Sequence, residues 1–480
     1  MKLVLFLFLL SVLHESLQEH FNAFLCDFCN CTNKEDLTVV CKDGDVSIQH
    51  IFDDNSWFDV ERKPYPYRHL TIHRIEMMTL DSPFPQSNLV SLEISEGAIS
   101  SIANGVFINL QSMRELSLSR NRLIAISPEV FRGNTSEGEY LPLKSLRVLK
   151  LDHNQIFEIE PHLFKHITNL EVLDLSVNPL TTITLEAQQA FAELSNLREL
   201  YLSTTRIKTL PDHFLHTHAN LEVLDLSGNP ISAIPQDLKY AENLHTLYLN
   251  DTQLITLDNK TGFPKVPNLK VLYMCHITPL VNISAGAFSG LESLEELYLN
   301  DNVNLRQIDD YAFAEKQEEG GAIYPPIKKF YIQNNKLESV ARELIASWDR
   351  LVGLDLGGNK WSCDCTNQWI IDNLLPTYAT IEGIEKSKEL KCGSPIEMDG
   401  IYMHALREKH YQLRCLDVYG ARPENDGTIL IGLLAGILIT IPLVLFLMYA
   451  YQRNWFGLFS SSPAAYSRQF YNRTTDDNMF

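Results

Sequence analysis

The sequence lacks the residue patterns by which most enzymes are recognised. It contains no H-E-x-x-H of zinc peptidases, no G-x-S-x-G of serine hydrolases and no phosphate-binding G-x-x-x-x-G-K. The segment closest to a calcium-binding loop begins at Asp301 and lacks both the glycine and the ligand spacing. We therefore expect a protein that is not an enzyme and that has neither a metal site nor a cofactor.

Basic residues are also under-represented. The 480 residues include 40 Lys and Arg against 60 Asp and Glu, which gives a formal net charge of -20. Because polyanions are held by positive charge, such an acidic chain argues against nucleic acid as a partner over most of its surface.

Cysteine is scarce in the middle of the chain, where only Cys275 lies between Cys41 and Cys363. The other eight form two terminal clusters: Cys26, Cys29, Cys31 and Cys41, then Cys363, Cys365, Cys392 and Cys415. This usage fits an oxidising exterior, which also disfavours the competing interpretation of a zinc site built from the close pairs. We expect Cys275 to be a free, partly covered thiol, with an intermolecular disulfide as the alternative.

The two long apolar runs lie near the ends. Leu3–Leu13 is too short to span a bilayer and is followed by polar residues, as in a signal peptide. Cuts after Ser16 and after Ala23 are both open. The second run, Ile429–Tyr451, has no charged residue, and at ~1.5 Å per residue it reaches roughly 34 Å, enough for a transmembrane helix.

Orientation follows from the charge beside the second run. Arg453 lies just past its end, so the positive-inside rule places the N-terminal body outside and the short tail in the cytoplasm. We predict a single-pass type I plasma-membrane glycoprotein. Gly432 and Gly436, with Thr440, fall at four-residue intervals on the span and permit a homodimer through closely approaching helices, although glycine is frequent in membrane helices anyway.

Between the two runs, one pattern returns about a dozen times in the frame L-x-x-L-x-L-x-x-N-x-L. Clear copies start at Met113, Leu146, Leu170, Leu197, Leu221, Leu244, Leu294, Ile327 and Leu351, with weaker ones at Tyr67, Leu89 and Leu269. Such a unit cannot bury its leucines alone, so the repeats must stack into a solenoid. The alternating L-x-L segments predict short strands that pair in parallel, about 4.8 Å apart, in a single sheet.

Two further columns support this fold. An asparagine at the ninth position can turn the chain and satisfy buried backbone groups. A second apolar column should fill the convex side of the core, and it consists of Phe107, Phe131, Phe164, Phe191, Phe214, Phe288 and Phe313. Two steps of 33 residues contain inserts around Asn134 and Glu319 whose compositions predict loops.

The repeats and the flanking cysteines resemble the extracellular leucine-rich-repeat proteins, a group that includes Slit, Toll and chaoptin-like receptors. The C-terminal pattern W-S-C-D-C…W…C…C is the most specific part of the likeness. The resemblance implies an α/β solenoid, a leucine-rich-repeat horseshoe with a parallel concave sheet, a disulfide cap at each end and one transmembrane helix. It also implies four cap disulfides, namely Cys26–Cys31, Cys29–Cys41, Cys363–Cys392 and Cys365–Cys415.

The predicted organisation has seven parts. They are a signal peptide (1–18), an N-terminal cap (24–66), the repeats (67–358), a C-terminal cap (359–416), a stalk (417–428), a transmembrane helix (429–451) and a cytoplasmic tail (452–480). Glycosylation is expected at the sequons that fall in the outer part, at Asn30, Asn134, Asn250, Asn259 and Asn282. The tail is too short to bury a domain core, so direct Toll-type signalling is in doubt.

The third, fifth, seventh and eighth positions of the frame should face out of the concave sheet. The fifth position gives the column of candidate ligand-binding residues, Tyr201, Asp225, Tyr248, Tyr273, Tyr298 and Tyr331. Asn300 and Asp301 add a polar rim. Tyrosine buries much area at low entropic cost, which suits an interface. In the alternative interpretation these side chains only cover the sheet, and a glycan on Asn250 would move the contact surface elsewhere.

These features favour recognition over catalysis. We expect an extracellular protein ligand or an apposed cell-surface protein as partner, with the protein acting as an adhesion molecule or co-receptor. An auxiliary subunit that modulates a channel or receptor in the same membrane through its span is the second hypothesis. An epithelial protein that organises the matrix is a third.

Overall fold

A computed structural model describes residues 24–33, 36–42, 48–136, 139–316, 322–416 and 423–453. The predicted signal peptide and the predicted tail beyond residue 453 lie outside these residues. The chain divides into two units, residues 1–411 and 412–480. The repeats and most of both cysteine clusters belong to the first unit.

The repeats build one sheet, which has 14 strands among the described residues, and each strand pairs with the next in the sequence. Strands β1 to β14 are Asn30–Thr32, Leu37–Cys41, Tyr67–His73, Ser91–Ser95, Glu115–Ser117, Val148–Lys150, Val172–Asp174, Glu199–Tyr201, Val223–Asp225, Thr246–Tyr248, Val271–Tyr273, Glu296–Tyr298, Lys329–Tyr331 and Gly353–Asp355. The β1–β2 pair is antiparallel and the later pairs are parallel. This parallel solenoid of about 11 turns confirms the predicted leucine-rich-repeat fold.

Shorter strands lie outside this sheet. Parallel pairs join Thr79–Leu80 with Ser101–Ile102, and Asn282–Ile283 with both Thr256–Leu257 and Gln307–Ile308. The two inserts, predicted to be loops, instead form antiparallel strand pairs, Arg132–Ser136 with Glu139–Pro142 and Glu315–Lys316 with Ala322–Ile323. Strand pairing is favoured because it provides hydrogen-bond partners for the backbone N–H and C=O groups of a long inserted segment.

Helices are short except for the last. Helices α1 to α6 are Ile48–Phe52, Leu185–Ala192, Leu375–Glu382, Ile384–Lys388, Met403–Glu408 and Pro423–Gln452. Single 3₁₀ turns cover Phe24–Asp27, Asp54–Ser56, Pro128–Phe131, Leu215–Thr217, Gln236–Tyr240, Arg342–Leu344, Trp348–Arg350 and Cys365–Asn367, and a π-helical turn covers Ile370–Leu374. Helices α3 to α5 lie in the predicted C-terminal cap, which therefore closes the sheet with helices rather than with another repeat.

The ninth-position asparagines hold adjacent turns together. The Asn178 side-chain amide donates to the carbonyl oxygens of Leu151 and Leu175, each at 2.9 Å, while its Oδ1 accepts from the Ile156 amide at 2.9 Å. Two repeats use threonine instead, and the hydroxyls of Thr205 and Thr252 donate to the carbonyl three residues back. Each buried turn is thereby supplied with the partners that its backbone requires.

The phenylalanine column is present and longer than predicted. All seven predicted rings are buried, and Phe84 and Phe263 extend the column. Phe84 stacks on Phe107 with ring centroids 6.0 Å apart, and Phe263 stacks on Phe288 at 5.7 Å. The ring contacts recorded among the described residues fall into three groups, from Phe84 to Phe131, from Phe164 to Phe214 and from Phe263 to Phe313.

The eighth position of the frame has a left-handed backbone in every repeat. The φ values lie between 53° and 67° at Arg74, Glu96, Arg120, His153, Val177, Thr204, Gly228, Asp251, His276, Asp301, Asn334 and Gly358. At Gly358 a Cβ atom would clash with Oδ1 of Asn334, so this turn has no room for a side chain. The sheet thus ends at the same sharp turn in each repeat.

Disulfides lie in both predicted caps. Cys26 is bonded to Cys31 and Cys29 to Cys41, next to β1 and β2. Cys363 is bonded to Cys392. Cys365 and Cys415 are each disulfide-bonded as well.

In the second unit, α6 contains the predicted span. Ile429–Gln452, 24 residues with a mean hydropathy of 2.8, is long and apolar enough to cross a membrane. The predicted stalk needs correction, because residues 423–428 form the first turns of this helix instead of a linker. Pro423 is the first helical residue, a position where its missing N–H and fixed φ favour helix initiation.

Candidate functional site

Four tyrosines at the fifth position form a continuous stack, which we call the tyrosine ladder: Tyr248, Tyr273, Tyr298 and Tyr331. The ring centroids of successive pairs are 4.5, 4.3 and 5.0 Å apart, with interplanar angles of 7°, 12° and 16°. All four side chains are half-buried. The ladder therefore presents ring edges and hydroxyl groups on one face of the sheet, which we call the tyrosine face.

Register and strand spacing produce this stack. In each of these strands the central residue, such as Leu272 in β11, is fully buried while its two neighbours are half-buried. The tyrosines are direct partners across the pairs of β10, β11, β12 and β13. Because neighbouring strands are about 4.8 Å apart, equivalent rings fall at stacking distance.

Carboxylates fix the tyrosine orientation at two rungs. The Tyr298 hydroxyl donates to Oε2 of Glu296 at 3.0 Å, and the Tyr201 hydroxyl donates to Oε2 of Glu199 at 2.8 Å. Burial, followed by these hydrogen bonds, raises the pKa of Tyr298 and of Tyr201 above the usual tyrosine range. Both hydroxyls consequently remain protonated at neutral pH.

The polar rim predicted at Asn300 and Asp301 is a connected network. Asn300 donates to Oδ2 of Asp301 at 2.6 Å, and Asn334 of the next repeat donates to Oδ1 at 2.9 Å. His276 Nε2 lies 4.0 Å from Asp301 Oδ2. These groups order the turn beside the ladder.

The structure does not bring every predicted residue into the ladder. Tyr201 is separated from Tyr248 by Asp225, because β9 lies between β8 and β10 and Asp225 is the register partner of both tyrosines. Asp225 is half-buried, and its Oδ1 accepts from the Ser227 amide at 2.8 Å. The column of six predicted residues is thus one ring, one carboxylate and then four rings.

The C-terminal end of the ladder is closed by cap residues that sequence reasoning missed. Asp355, which follows Tyr331 in the column, accepts from the Tyr378 hydroxyl at 3.0 Å and pairs with Lys386 at 2.8 Å. The sequence places Asp355 in the fifth-position column, and Gly353 leaves room for the last ring, since a Cβ atom there would lie 2.5 Å from the Tyr331 hydroxyl. The helical residues themselves follow no repeat and could not be placed.

Cys275 lies beside the ladder as a free, buried cysteine. Its Sγ lies 3.1 Å from Oδ1 of Asn300, and its backbone amide donates to Oδ1 of Asn250 at 2.8 Å. Burial raises the pKa of the thiol to about 11. The environment is that of an inert thiol, since the reactive thiolate is disfavoured.

The sequons differ in exposure. Asn30 and Asn259 are exposed, whereas Asn250 and Asn282 are half-buried. The side chain of Asn134 lies outside the described residues. Glycosylation at each of the five positions stays a prediction.

Within the described ranges, no group of three or more His, Cys, Asp and Glu residues is placed to hold a metal ion. The tyrosine face combines aromatic rings, hydroxyl groups and carboxylates, and aromatic residues are enriched at protein interfaces.

Comparisons with known proteins agree with this architecture. The family described as "Leucine rich repeat" matches residues 87–136, 144–206, 195–254, 242–303 and 267–315. The chain is 26% identical over 300 residues to Toll-like receptor 2 type-2 of Gallus gallus, a match that covers 61% of this chain and 33% of that protein. It is 27% identical over 204 residues to Toll-like receptor 2 of Bison bison, covering 42% and 23%.

Two solved structures are similar in part. The Toll–Spatzle complex of Drosophila gives a TM-score of 0.42 at 18% identity, covering 71% of this chain and 57% of that one. The complex of latrophilin 3, Unc5D and FLRT2 gives 0.47 at 18% identity, covering 78% and 96%.

The repeats are leucine-rich repeats, and with the disulfides near both ends and the apolar C-terminal helix they fit the family of leucine-rich-repeat ectodomain proteins. The curated relatives in question are Toll-like receptors. The chain spans about a third or less of their length.

Proposed function

We propose that this protein is a membrane-anchored cell-surface receptor or adhesion molecule that binds a protein ligand through the tyrosine face. In this proposal the leucine-rich repeats are outside the plasma membrane, α6 crosses it and the short tail is in the cytoplasm. The observation that carries the proposal is the tyrosine ladder, which occupies four successive repeats of the parallel sheet.

Physical chemistry supports binding at this place. Stacked rings have already lost their rotational freedom. A ligand that contacts their edges and hydroxyls therefore causes little further loss of side-chain conformational entropy. The acidic surroundings favour a partner with complementary basic groups. Similarity to Toll-like receptors is consistent with recognition as the general role.

The test is a binding screen with cells that display the full chain, stained with multimerised extracellular domains of other proteins. We expect saturable binding of at least one domain by the native chain. Tyr248→Ala, Tyr273→Ala and Tyr298→Ala together should weaken it at least about tenfold, because central aromatic residues dominate interface energies.

The matched control changes three residues at the same frame position in earlier repeats, Ser117→Ala, Lys150→Ala and Asp174→Ala. It should bind like the native chain. Surface amounts of all proteins are equalised with an epitope tag. Binding that survives loss of the ladder, or that is lost equally in the control, would place the site elsewhere.

A second function, that of an auxiliary subunit for a protein in the same membrane, follows from the apolar helix α6. In this case co-purification with the partner would survive exchange of the repeats and fail when α6 is replaced. The predicted homodimer through Gly432 and Gly436 is tested by co-purification of two differently tagged copies of the chain. Gly432→Leu with Gly436→Leu should abolish this co-purification.

A further inference from the structure

The column of aromatic rings on the tyrosine face has one gap. Tyr201 on β8 and Tyr248 on β10 are both half-buried, and between them β9 contributes Asp225 at the same register. Tyr248 is covered on one side by Tyr273, with centroids 4.5 Å apart. Its other face is directed toward the gap.

The gap has the width of one planar group. Strands two apart are separated by roughly 9.6 Å, so a group midway would be about 4.8 Å from each ring. That distance lies within the range of about 6 Å over which a cation is attracted to an aromatic face. It also equals the spacing that the ladder itself shows between its rings, 4.3 to 5.0 Å.

The Tyr201 side chain is held in the same way as a tyrosine of the ladder, so its ring can form one side of the gap. Its hydroxyl bonds to the carboxylate two residues earlier, Glu199, as the hydroxyl of the ladder residue Tyr298 bonds to Glu296. Val223, the first residue of β9, is half-buried and lies on the same face of the strand as Asp225, and its register partner on β8 is Glu199. The gap is therefore bordered by the two tyrosines, with the Asp225 carboxylate at the same register.

The Asp225 carboxylate has capacity for a cation. Its Oδ1 accepts from the Ser227 amide at 2.8 Å. None of the ion pairs found among the described residues involves Asp225. The outward-facing positions of the repeats from residue 197 to residue 275 include Glu199 and Asp251 but no Lys or Arg. A cation entering the gap would meet uncompensated negative charge.

The chain itself shows such a carboxylate holding a cation. Asp355 is at the same frame position, and its Oδ1 accepts from the amide two residues on, Gly357, at 2.9 Å. Its Oδ2 binds the Lys386 ammonium group at 2.8 Å, next to the last ladder ring. At Asp355 the cap supplies this cation, whereas at Asp225 no described residue does so.

We propose that Tyr201, Asp225 and Tyr248 form a slot for one arginine side chain of the protein ligand, with the guanidinium group stacked between the two rings and bonded to Asp225. The slot rests on the proposed function, because the arginine belongs to the ligand of the tyrosine face. Arginine fits better than lysine because the guanidinium group is planar, so each of its two faces can stack on one of the tyrosine rings. No other rung of the column combines two flanking rings with a carboxylate.

The test measures binding of the purified full chain, in non-ionic detergent, to immobilised peptides by surface plasmon resonance. The probe is an acetylated pentapeptide, Thr-Val-Arg-Val-Thr, and its counterpart carries neutral citrulline, which has nearly the same shape, in place of arginine. The native chain should bind the arginine peptide at least about tenfold more tightly, a difference of about 1.4 kcal/mol. Equal binding of the two peptides would overturn the slot.

Two variants address Asp225 differently. Asp225→Ser removes the charge, and we choose serine because asparagine would create an Asn-Leu-Ser glycosylation acceptor. Asp225→Tyr fills the gap with a ring, as neighbouring repeats already do. Both should weaken arginine-peptide binding at least about tenfold. Asp174→Ser is the matched control, since Asp174 makes the same bond to the amide two residues on, at 2.9 Å, but is flanked by Lys150 and Tyr201.

The control should bind within about twofold of the native chain. Thermal unfolding checks that each variant is folded, and Asp225→Ser keeps the test valid if Asp225→Tyr fails to fold. Native-like binding by both Asp225 variants would contradict the proposal. A protein ligand that needs the ladder but is insensitive to Asp225→Ser overturns the slot alone. Arginine-peptide binding that depends on Asp225, with no protein ligand for the tyrosine face, overturns the proposed function alone.

Discussion

At the residue scale, the left-handed turn at the eighth frame position imposes a local cost that depends on the side chain. Glycine and asparagine adopt this conformation with little strain, and Gly228, Asn334 and Gly358 occupy it in three repeats. Val177 and Thr204, with φ of 55°, are β-branched and fit it poorly. The repeat geometry is therefore imposed on some residues by their neighbours.

Val177→Asn should stabilise the protein by about 1 kcal/mol, because it relieves the strain of a β-branched residue with positive φ. Val177 is 36% exposed, so little apolar burial is lost. The measurement is the free energy of unfolding from urea titration. Val177→Thr retains the branched side chain and should give no gain. A destabilised asparagine variant would show that Val177 contributes more by packing than it costs in strain.

The thiol of Cys275 should be slow to react. At pH 8 a pKa of about 11, against 9.0 for an ordinary thiol, reduces the thiolate fraction by two factors of ten, about 100-fold. Reaction of the native chain with a disulfide reagent, followed in time, should be slower by at least this factor than reaction after unfolding in urea. Cys275→Ser should remove the signal. Rapid labelling of the native chain would contradict the buried environment.

At the scale of elements, the ladder adds ring stacking to the backbone hydrogen bonds and the buried core that already join neighbouring strands. Tyr273→Ala and Tyr298→Ala, alone and together, should show a coupling free energy of about 0.5–1.5 kcal/mol in a double-mutant cycle, because their rings stack at 4.3 Å. The same cycle for Tyr201 and Tyr298, which are not neighbours in the column, should be additive. Additivity in both cycles would mean that stacking contributes nothing to stability.

The elements also show how far the sequence determines the structure. The period of the leucines predicts the parallel sheet, and register then places Tyr248, Tyr273 and Tyr298 in one stack. The closure of the column by Tyr378 and Lys386 was not predictable, because the C-terminal cap is helical and has no period that links it to a rung. The inserts were wrongly predicted as loops, since their composition carries no signal of which strand each half pairs with.

At the scale of the molecule, a solenoid has only neighbour contacts, so damage at one end should remain local. Cys363→Ser with Cys392→Ser removes a C-terminal cap disulfide and should cost about 2–5 kcal/mol in the stability of that end. Hydrogen exchange should then increase in the cap and last repeats only. Cys29→Ser with Cys41→Ser should have the mirror effect at the first repeats. Uniform loss of protection in either variant would indicate all-or-none unfolding.

The spacing of the ladder limits how a ligand can lie on it. Three intervals between ladder rings cover about 14 Å. Side chains on one face of an extended peptide recur every ~6.4–6.8 Å, so two of their periods cover about 13 Å. Side chains of such a peptide and positions of the column therefore come into alignment only at every third position of the column. A peptide side chain placed at Asp225 is next followed by an aligned side chain at Tyr298. An extended peptide that lies along the column can therefore align with both positions in one register only.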